Sequence, residues 1–191
     1  MKRLRVHFDQ NCINAKAKSA ALNQVQKLHD TGMIALVASA RNRWELGDPQ
    51  CDGPYKRKAR THLERFEVVP EYFRWNISPM GSVYDDSVGA VWGSVTDPES
   101  LDLGAVWRAV FPKSPMPYDP HGRSIFEPGQ NSVHDVMHLV NAHDHNADVF
   151  LTEDQAVLRA RDRLYAELSF RPRIESCFEL LLRFSVVLPL P

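Results

Sequence analysis

The chain has 191 residues, 43% of them hydrophobic and 25% charged, which suits one domain with a real core and excludes a disordered or membrane-embedded chain. Lys and Arg number 23 against 24 Asp and Glu, a formal net charge of −1, so bulk basicity gives no argument for a nucleic-acid partner and a local patch has to carry any such reading. The three cysteines, Cys12, Cys51 and Cys177, stand far apart without a Cys-x-x-Cys pair, which speaks against a disulfide scaffold or a zinc ribbon and fits a reducing cytosol.

Lys2, Arg3 and Arg5 make the amino terminus basic, but His7, Asp9, Gln10 and Asn11 interrupt the apolar stretch that a signal peptide needs. Leu4, Val6 and Phe8 alternate with Arg5 and His7, a strand pattern ending at Asp9. A helix is expected from Asn14 to Asp30 with Gly32 as its stop. Met33 to Ala38 is nearly continuous apolar sequence, the mark of a strand buried on both faces. Ser39 then reads as the N-cap of a short helix through Trp44, Glu45 and Leu46. Pro49, Gly53 and Pro54 break the chain before a basic helix, Arg57 to Arg65, and a third strand, Phe66 to Val69.

From Pro70 to Gln130 the texture changes: this stretch holds eight of the 13 prolines and three of the four tryptophans. That mixture opposes both long regular elements and disorder. The expectation is an inserted, loop-rich Pro/Trp lobe at about 70–131 within a single domain. Its one helix would run from Glu99 to Phe111 behind Asp97-Pro98, and Trp92 and Trp107 would fill its core. Regular patterning resumes with helices at Ser132 to Asn146 and Gln155 to Leu168, strands at Asp148 to Thr152 and Phe170 to Ile174, and a closing helix, Ser176 to Phe184. Strand–helix alternation at both ends predicts an α/β fold on a mostly parallel sheet. The most apolar stretch, Leu180 to Leu190, is broken by Arg183 and Pro189, so no membrane span is expected. The apolar tail Val186, Val187, Leu188 and Leu190 is a docking segment for this chain or a partner.

Ligands of an open parallel sheet sit beyond the carboxyl ends of its strands. Asp9, Glu45, Asp135 and Asp154 all fall at or beside that expected edge. Clustered carboxylates raise one another's pKa, and a divalent cation removes the conflict. An all-oxygen site suits Mg2+ or Mn2+ and hydrolysis of a phosphodiester by an activated water. Each acid also has a structural reading. Asp9-Gln10-Asn11 is a turn, Glu45 a solvated helix residue, Ser132-x-x-Asp135 a capping box, and Thr152-x-x-Gln155 a cap that leaves Asp154 as a first-turn charge.

Phe8-Asp9-Gln10-Asn11, Trp44-Glu45-Leu46, Asp135 with Ala142 and Asp148 downstream, and Leu151-Thr152-Glu153-Asp154 resemble the ordered acidic motifs of PIN-domain nucleases. The resemblance covers residues 4–69 and 132–184. It implies a three-layer fold with a five-stranded parallel sheet and metal-dependent cleavage of RNA. Asp9, Glu45, Asp135 and Asp154 take the acidic positions, with Asp48 and Asp52 as substitutes for Glu45, and Thr152 takes the hydroxyl position. Asp9, Asp135 and Asp154 would hold Mg2+ or Mn2+, Glu45 would complete the shell or orient the water, and Asn11, Thr152, His134 and His138 would support them. Many toxins of bacterial toxin–antitoxin pairs are PIN ribonucleases, so an antitoxin or another protein partner is implied, although the 70–130 lobe is larger than compact toxins need. A homodimer and a cytoplasmic location complete these expectations.

His134 and His138, four apart on one helical face, also admit zinc, and His143-Asp144 admits a His-Asp phosphohydrolase, whose all-helical fold the strands oppose. Local basic density gives a phosphate-binding rim: Lys56, Arg57, Lys58, Arg60 and Arg65 on one segment, Arg41 and Arg43 beside Glu45, and Arg159, Arg161 and Arg163 after Asp154. The expected function is a metal-dependent endoribonuclease. The rival is a PIN-like nucleic-acid or protein binding module without turnover, which has little use for clustered negative charge against phosphate.

Overall fold

The computed structural model describes residues 3–14, 19–42, 54–70, 101–115 and 132–184. Five strands, β1 (Leu4–Phe8), β2 (Ile34–Ser39), β3 (Glu67–Val69), β4 (Val149–Leu151) and β5 (Arg173–Glu175), form one sheet in the order β3-β2-β1-β4-β5, with every pair parallel. The helices are α1 (Gln10–Asn14), α2 (Ala20–Asp30), α3 (Pro54–Leu63), α4 (Leu103–Val110), α5 (Ser132–Asp144), α6 (Gln155–Leu168) and α7 (Cys177–Arg183). A further helical turn covers residues 40–42. The arrangement is the parallel α/β fold that strand–helix alternation predicts, with helices on both faces of the sheet in three layers.

Alternation along the strands sends successive side chains to opposite faces, and both faces are covered. Val6, Phe8, Ile34, Leu36, Val149 and Leu151 share one core with Leu22, Val25 and Leu28 of α2, Leu63 of α3 and Leu180 of α7. Phe150 and Ile174 share the other with Val106 and Trp107 of α4, Val136 and Val140 of α5 and Leu164 of α6. Fully burying one such Leu, Val or Phe contributes about 1.5–3 kcal/mol. Trp107 and its helix therefore pack on the main sheet domain. Trp92, the rest of the expected lobe and the tail from Val186 lie outside the described residues.

Several boundaries differ from expectation, each for a local reason. Ser19 caps α2 by accepting the Leu22 N–H at 3.3 Å, so that helix starts at Ala20, and the residues just after Asp9 form the separate α1. The chain leaves α2 through Gly32, whose φ of +76° suits glycine. Pro54 is the first residue of α3, where its missing N–H costs nothing. Asp102 caps α4 by accepting from Ala105 N–H at 2.7 Å; Asp97 and Pro98 lie outside the described residues. Phe170 is buried in the core but precedes β5, because Pro172 has no N–H to offer a ladder. Among the described residues no helix is long and apolar enough to cross a membrane.

This topology creates one special crevice. From β1 the chain enters α1 and α2 on the first face, whereas from β4 it enters α6 on the second. Because β1 and β4 are neighbours, their connections part at the carboxyl edge, the topological switch point where open α/β sheets take ligands.

Candidate functional site

Asp9 immediately follows β1, and Thr152 immediately follows β4, so the register Phe8↔Leu151 sets them side by side at the switch point. Asp9 is fully buried. Its Oδ2 accepts from Thr152 Oγ1 at 2.6 Å and from Asn11 Nδ2 at 2.7 Å, and its Oδ1 accepts the Gln10 N–H at 2.7 Å. Thr152 Oγ1 in turn accepts the Asp154 N–H at 3.0 Å. One hydroxyl thereby joins the residues that follow two adjacent strands. Asn11 closes the loop, since its Oδ1 takes the Glu153 N–H at 3.3 Å.

Thr152 is not the helix cap that its spacing from Gln155 suggests. Asp154 caps α6, its Oδ1 accepting from Ala156 N–H at 2.6 Å and Val157 N–H at 3.2 Å. The competing cap lost because Thr152 already serves Asp9. Ser132 is the first described residue of α5, and Asp135 lies in its first turn.

A second arm reaches Asp9 from the other side. Asn42 Nδ2 donates to Gln10 Oε1 at 2.7 Å, Asn42 Oδ1 accepts the Ser39 N–H at 2.8 Å, and Ser39 Oγ is hydrogen-bonded to His138 Nδ1 at 3.2 Å. Ser39, Asn42, Gln10 and His138 are all buried. Such a chain fixes the rotamers of its members in a low-dielectric interior. The sequence marks Ser39 only as an N-cap and Gln10 only as part of the Asp9 motif, and it gives Asn42 no role. The available signal was Asn42 three residues after Ser39, the spacing at which a side chain returns to the cap's N–H.

His138 is a fully buried core residue. It also locates Asp135. The helix α5 runs against the strand direction, and Asp148, four residues past its end, donates its N–H to the Arg5 carbonyl near the start of β1. Asp135 stands three residues nearer the helix start than His138 and on a similar face, about 4.5 Å away along the helix axis. Asp135 and His134 are half-buried. Beside this arm, His7 is fully buried against Phe150 and His138, with ring centroids 5.8 Å and 6.3 Å away. Burial first, then the nearby His138, His145 and Arg5, push its pKa well below the usual histidine value.

The other expected residues divide. Glu45, Asp48, Asp52 and Arg43 lie outside the described residues. Among the described residues no three His, Cys, Asp or Glu side chains are grouped to hold a metal ion. The arrangement thus joins Asp9 to Asp154 through Thr152 and does not gather Asp9, Asp135 and Asp154 into a three-ligand cage. Arg41 is buried, so it is no part of an exposed rim. Lys56 falls in α3; Arg57 and Lys58 on the same helix are exposed and Arg60 is half-buried. Arg159 is exposed. Arg65 pairs with Asp30, and Arg161 with Glu179 at 2.7 Å. His143 lies near the opposite edge of the sheet, where its Nδ1 accepts the Arg171 N–H at 3.3 Å. Burial and then Arg171 bring its pKa to about 4.

Comparison with known proteins adds nothing to this geometry: no family model, no curated protein and no solved structure matches the chain.

Proposed function

We propose that the chain is a PIN-like nuclease that hydrolyses RNA phosphodiester bonds with Mg2+ or Mn2+ at the β1/β4 switch point. The observation that carries this reading is the link Asp9–Thr152–Asp154, which sets two carboxylate residues from different strands about one hydroxyl. The donor set fits the cation. Mg2+ is commonly held by one or two carboxylates with several retained waters, so the absence of a three-residue cage among the described residues is compatible with it. Asp9 and Asp154 would hold the ion directly, with Asp135 and Glu45 acting through water. When bound, the cation would supply an activated water and neutralise charge on the phosphate.

The chain's own residues then have separable tasks. Gln10, Asn11 and Thr152 hold the Asp9 carboxylate in one orientation by three hydrogen bonds. Asp154 Oδ1 is engaged by the α6 N–H groups, which fixes the side chain and leaves Oδ2 as the oxygen for a ligand. Arg57, Lys58 and Arg159 are exposed cations suited to the flanking phosphates.

A binding module without turnover is favoured by one feature, the structural work Asp154 already does as a helix cap. Calorimetric titration with Mn2+, followed by cleavage of a labelled single-stranded RNA, separates the two. The nuclease reading expects saturable binding, cleavage in Mg2+ or Mn2+, loss in chelator, and no rescue by one equivalent of Zn2+. Neither metal binding nor cleavage would leave the binding module.

A further inference from the structure

We propose that Asn42, acting through Gln10, is a positioning residue for the Asp9 carboxylate. In the sheet, β1 lies between β2 and β4. Thr152, just after β4, donates to Asp9 Oδ2 at 2.6 Å. The other oxygen, Oδ1, accepts the Gln10 N–H at 2.7 Å, and the Gln10 side chain is anchored to Asn42, which follows β2. The acid is thereby held from both neighbouring strands.

The arm through Asn42 has a fixed polarity. A backbone N–H can only donate, so the atom of Asn42 that meets the Ser39 N–H at 2.8 Å is the amide oxygen. The Asn42 NH2 then faces Gln10, and Gln10 must present its own oxygen, at 2.7 Å. Gln10 Nε2 is buried with no hydrogen-bond partner among the described residues, so the bond to Asn42 is what fixes this side chain. Returning to the Ser39 N–H needs only an acceptor, which a carboxylate would supply equally well. The amide is required by the second task, the donor to Gln10.

Asn42 is fully buried and Gln10 is 8% exposed. A buried amide that loses its partner is costly, so each side chain keeps the other in place. Because Gln10 is the first residue of α1, anchoring its side chain restrains the direction of its N–H, and with it Asp9 Oδ1. Partners that orient a metal ligand in this way set its affinity for the ion. That consequence rests on the nuclease reading, whereas the orientation of Asp9 does not.

The test uses the full chain. Gln10→Met and Asn42→Ala cut the same bond from its two sides. Ser39→Ala removes the hydroxyl that meets His138 but keeps the backbone N–H that orients Asn42. The probe is the carboxyl carbon NMR signal of Asp9 in protein with labelled aspartate, identified by its loss in Asp9→Asn and read without metal. It should shift in Gln10→Met and in Asn42→Ala, and in the double variant no further than in the larger single one, because the same bond is broken. In Ser39→Ala it should stay in place although the thermal midpoint falls, which separates orientation from stability. Calorimetric titration with Mn2+ should show binding weakened by roughly 10–100-fold in Gln10→Met and Asn42→Ala. A wild type that takes no Mn2+ would end the nuclease reading and leave the NMR signal to decide this proposal. An Asp9 signal that stays in place in folded Gln10→Met or Asn42→Ala, or Mn2+ affinity there equal to that of a metal-binding wild type, would overturn it.

Discussion

The two ends of β1 hold their charged residues in different ways. At the amino edge, Arg5 is paired with Glu67 at 2.8 Å, and its backbone N–H is taken by the Asp148 carboxylate at 2.7 Å. Glu67 is exposed, and Arg5 and Asp148 are half-buried. At the carboxyl edge, Asp9 is fully buried, and the bonds it makes with Gln10, Asn11 and Thr152 all come from neutral donors. Burying an ionised carboxyl group costs several kcal/mol, which these hydrogen bonds offset while they fix its orientation. The amino end of β1 thus joins groups near the surface, and its carboxyl end holds an acid side chain in one orientation in the interior.

The largest effect should come from Asp9→Asn. Cleavage should fall by at least about a hundredfold, roughly 2.7 kcal/mol of barrier, in a metal-dependent RNA assay. The new amide would face the Asn11 and Thr152 donors, so a lower midpoint should accompany the loss. An Asp9→Asn protein with full activity would erase the contrast between the edges.

Thr152→Val keeps the side chain's shape and removes the hydroxyl on which both carboxylate residues depend. Denaturant melts should show a loss of about 1–3 kcal/mol, because a buried acceptor and an N–H lose their partner. The matching change at the amino edge, Glu67→Gln, breaks an exposed ion pair and should cost under about 1 kcal/mol. Equal costs at the two edges would contradict the account.

Acid should act through buried histidines at both edges. His143 has an ordinary value of 6.5 and is brought to about 4 in the fold. As pH falls below about 6.5 the unfolded chain binds the proton first, so this contribution to stability is complete above that value and is lost towards about 4. His7, lowered further, extends the loss to more acid pH. Chemical denaturation at several pH values should show the decline, and His143→Gln, which keeps an acceptor for Arg171, should flatten it between 6.5 and 4. A variant with the wild-type slope would remove His143 as its source.

The smallest effect should be on substrate capture. Reversing the exposed Arg57, Lys58 and Arg159 to Glu should weaken binding of a labelled single strand in Ca2+ and reduce the salt slope by about 0.7 for each phosphate that is no longer neutralised. An unchanged slope would make these residues ordinary solvated helix positions.

The sheet was legible because its signals are periodic. Met33 to Ala38 carried the mark of a doubly buried strand, which β2 is from Ile34 onward, and Leu4, Val6 and Phe8 marked a face. Asp9 and Asp154 were found by their place at strand ends, and Thr152 through the resemblance to the PIN-domain motifs. What spacing could not show was how competing hydrogen bonds divide. Thr152 and Asp154 were both able to cap α6, and the choice was settled by Asp9, which lies 143 residues from Thr152. The arm from Gln10 through Asn42 and Ser39 to His138 joins residues that share no periodicity. Arg41 looked like a surface cation in sequence and is buried by tertiary packing.

The most direct test of the central claim is cleavage of a labelled single-stranded RNA in Mg2+ by Asp154→Asn. Asparagine caps helices about as well as aspartate, so α6 should persist and the thermal midpoint should stay close to that of the wild type. The account predicts a folded protein whose cleavage is lost. A folded Asp154→Asn protein that cleaves within about tenfold of wild type, under about 1.4 kcal/mol of barrier, would contradict it and reduce Asp154 to a helix cap.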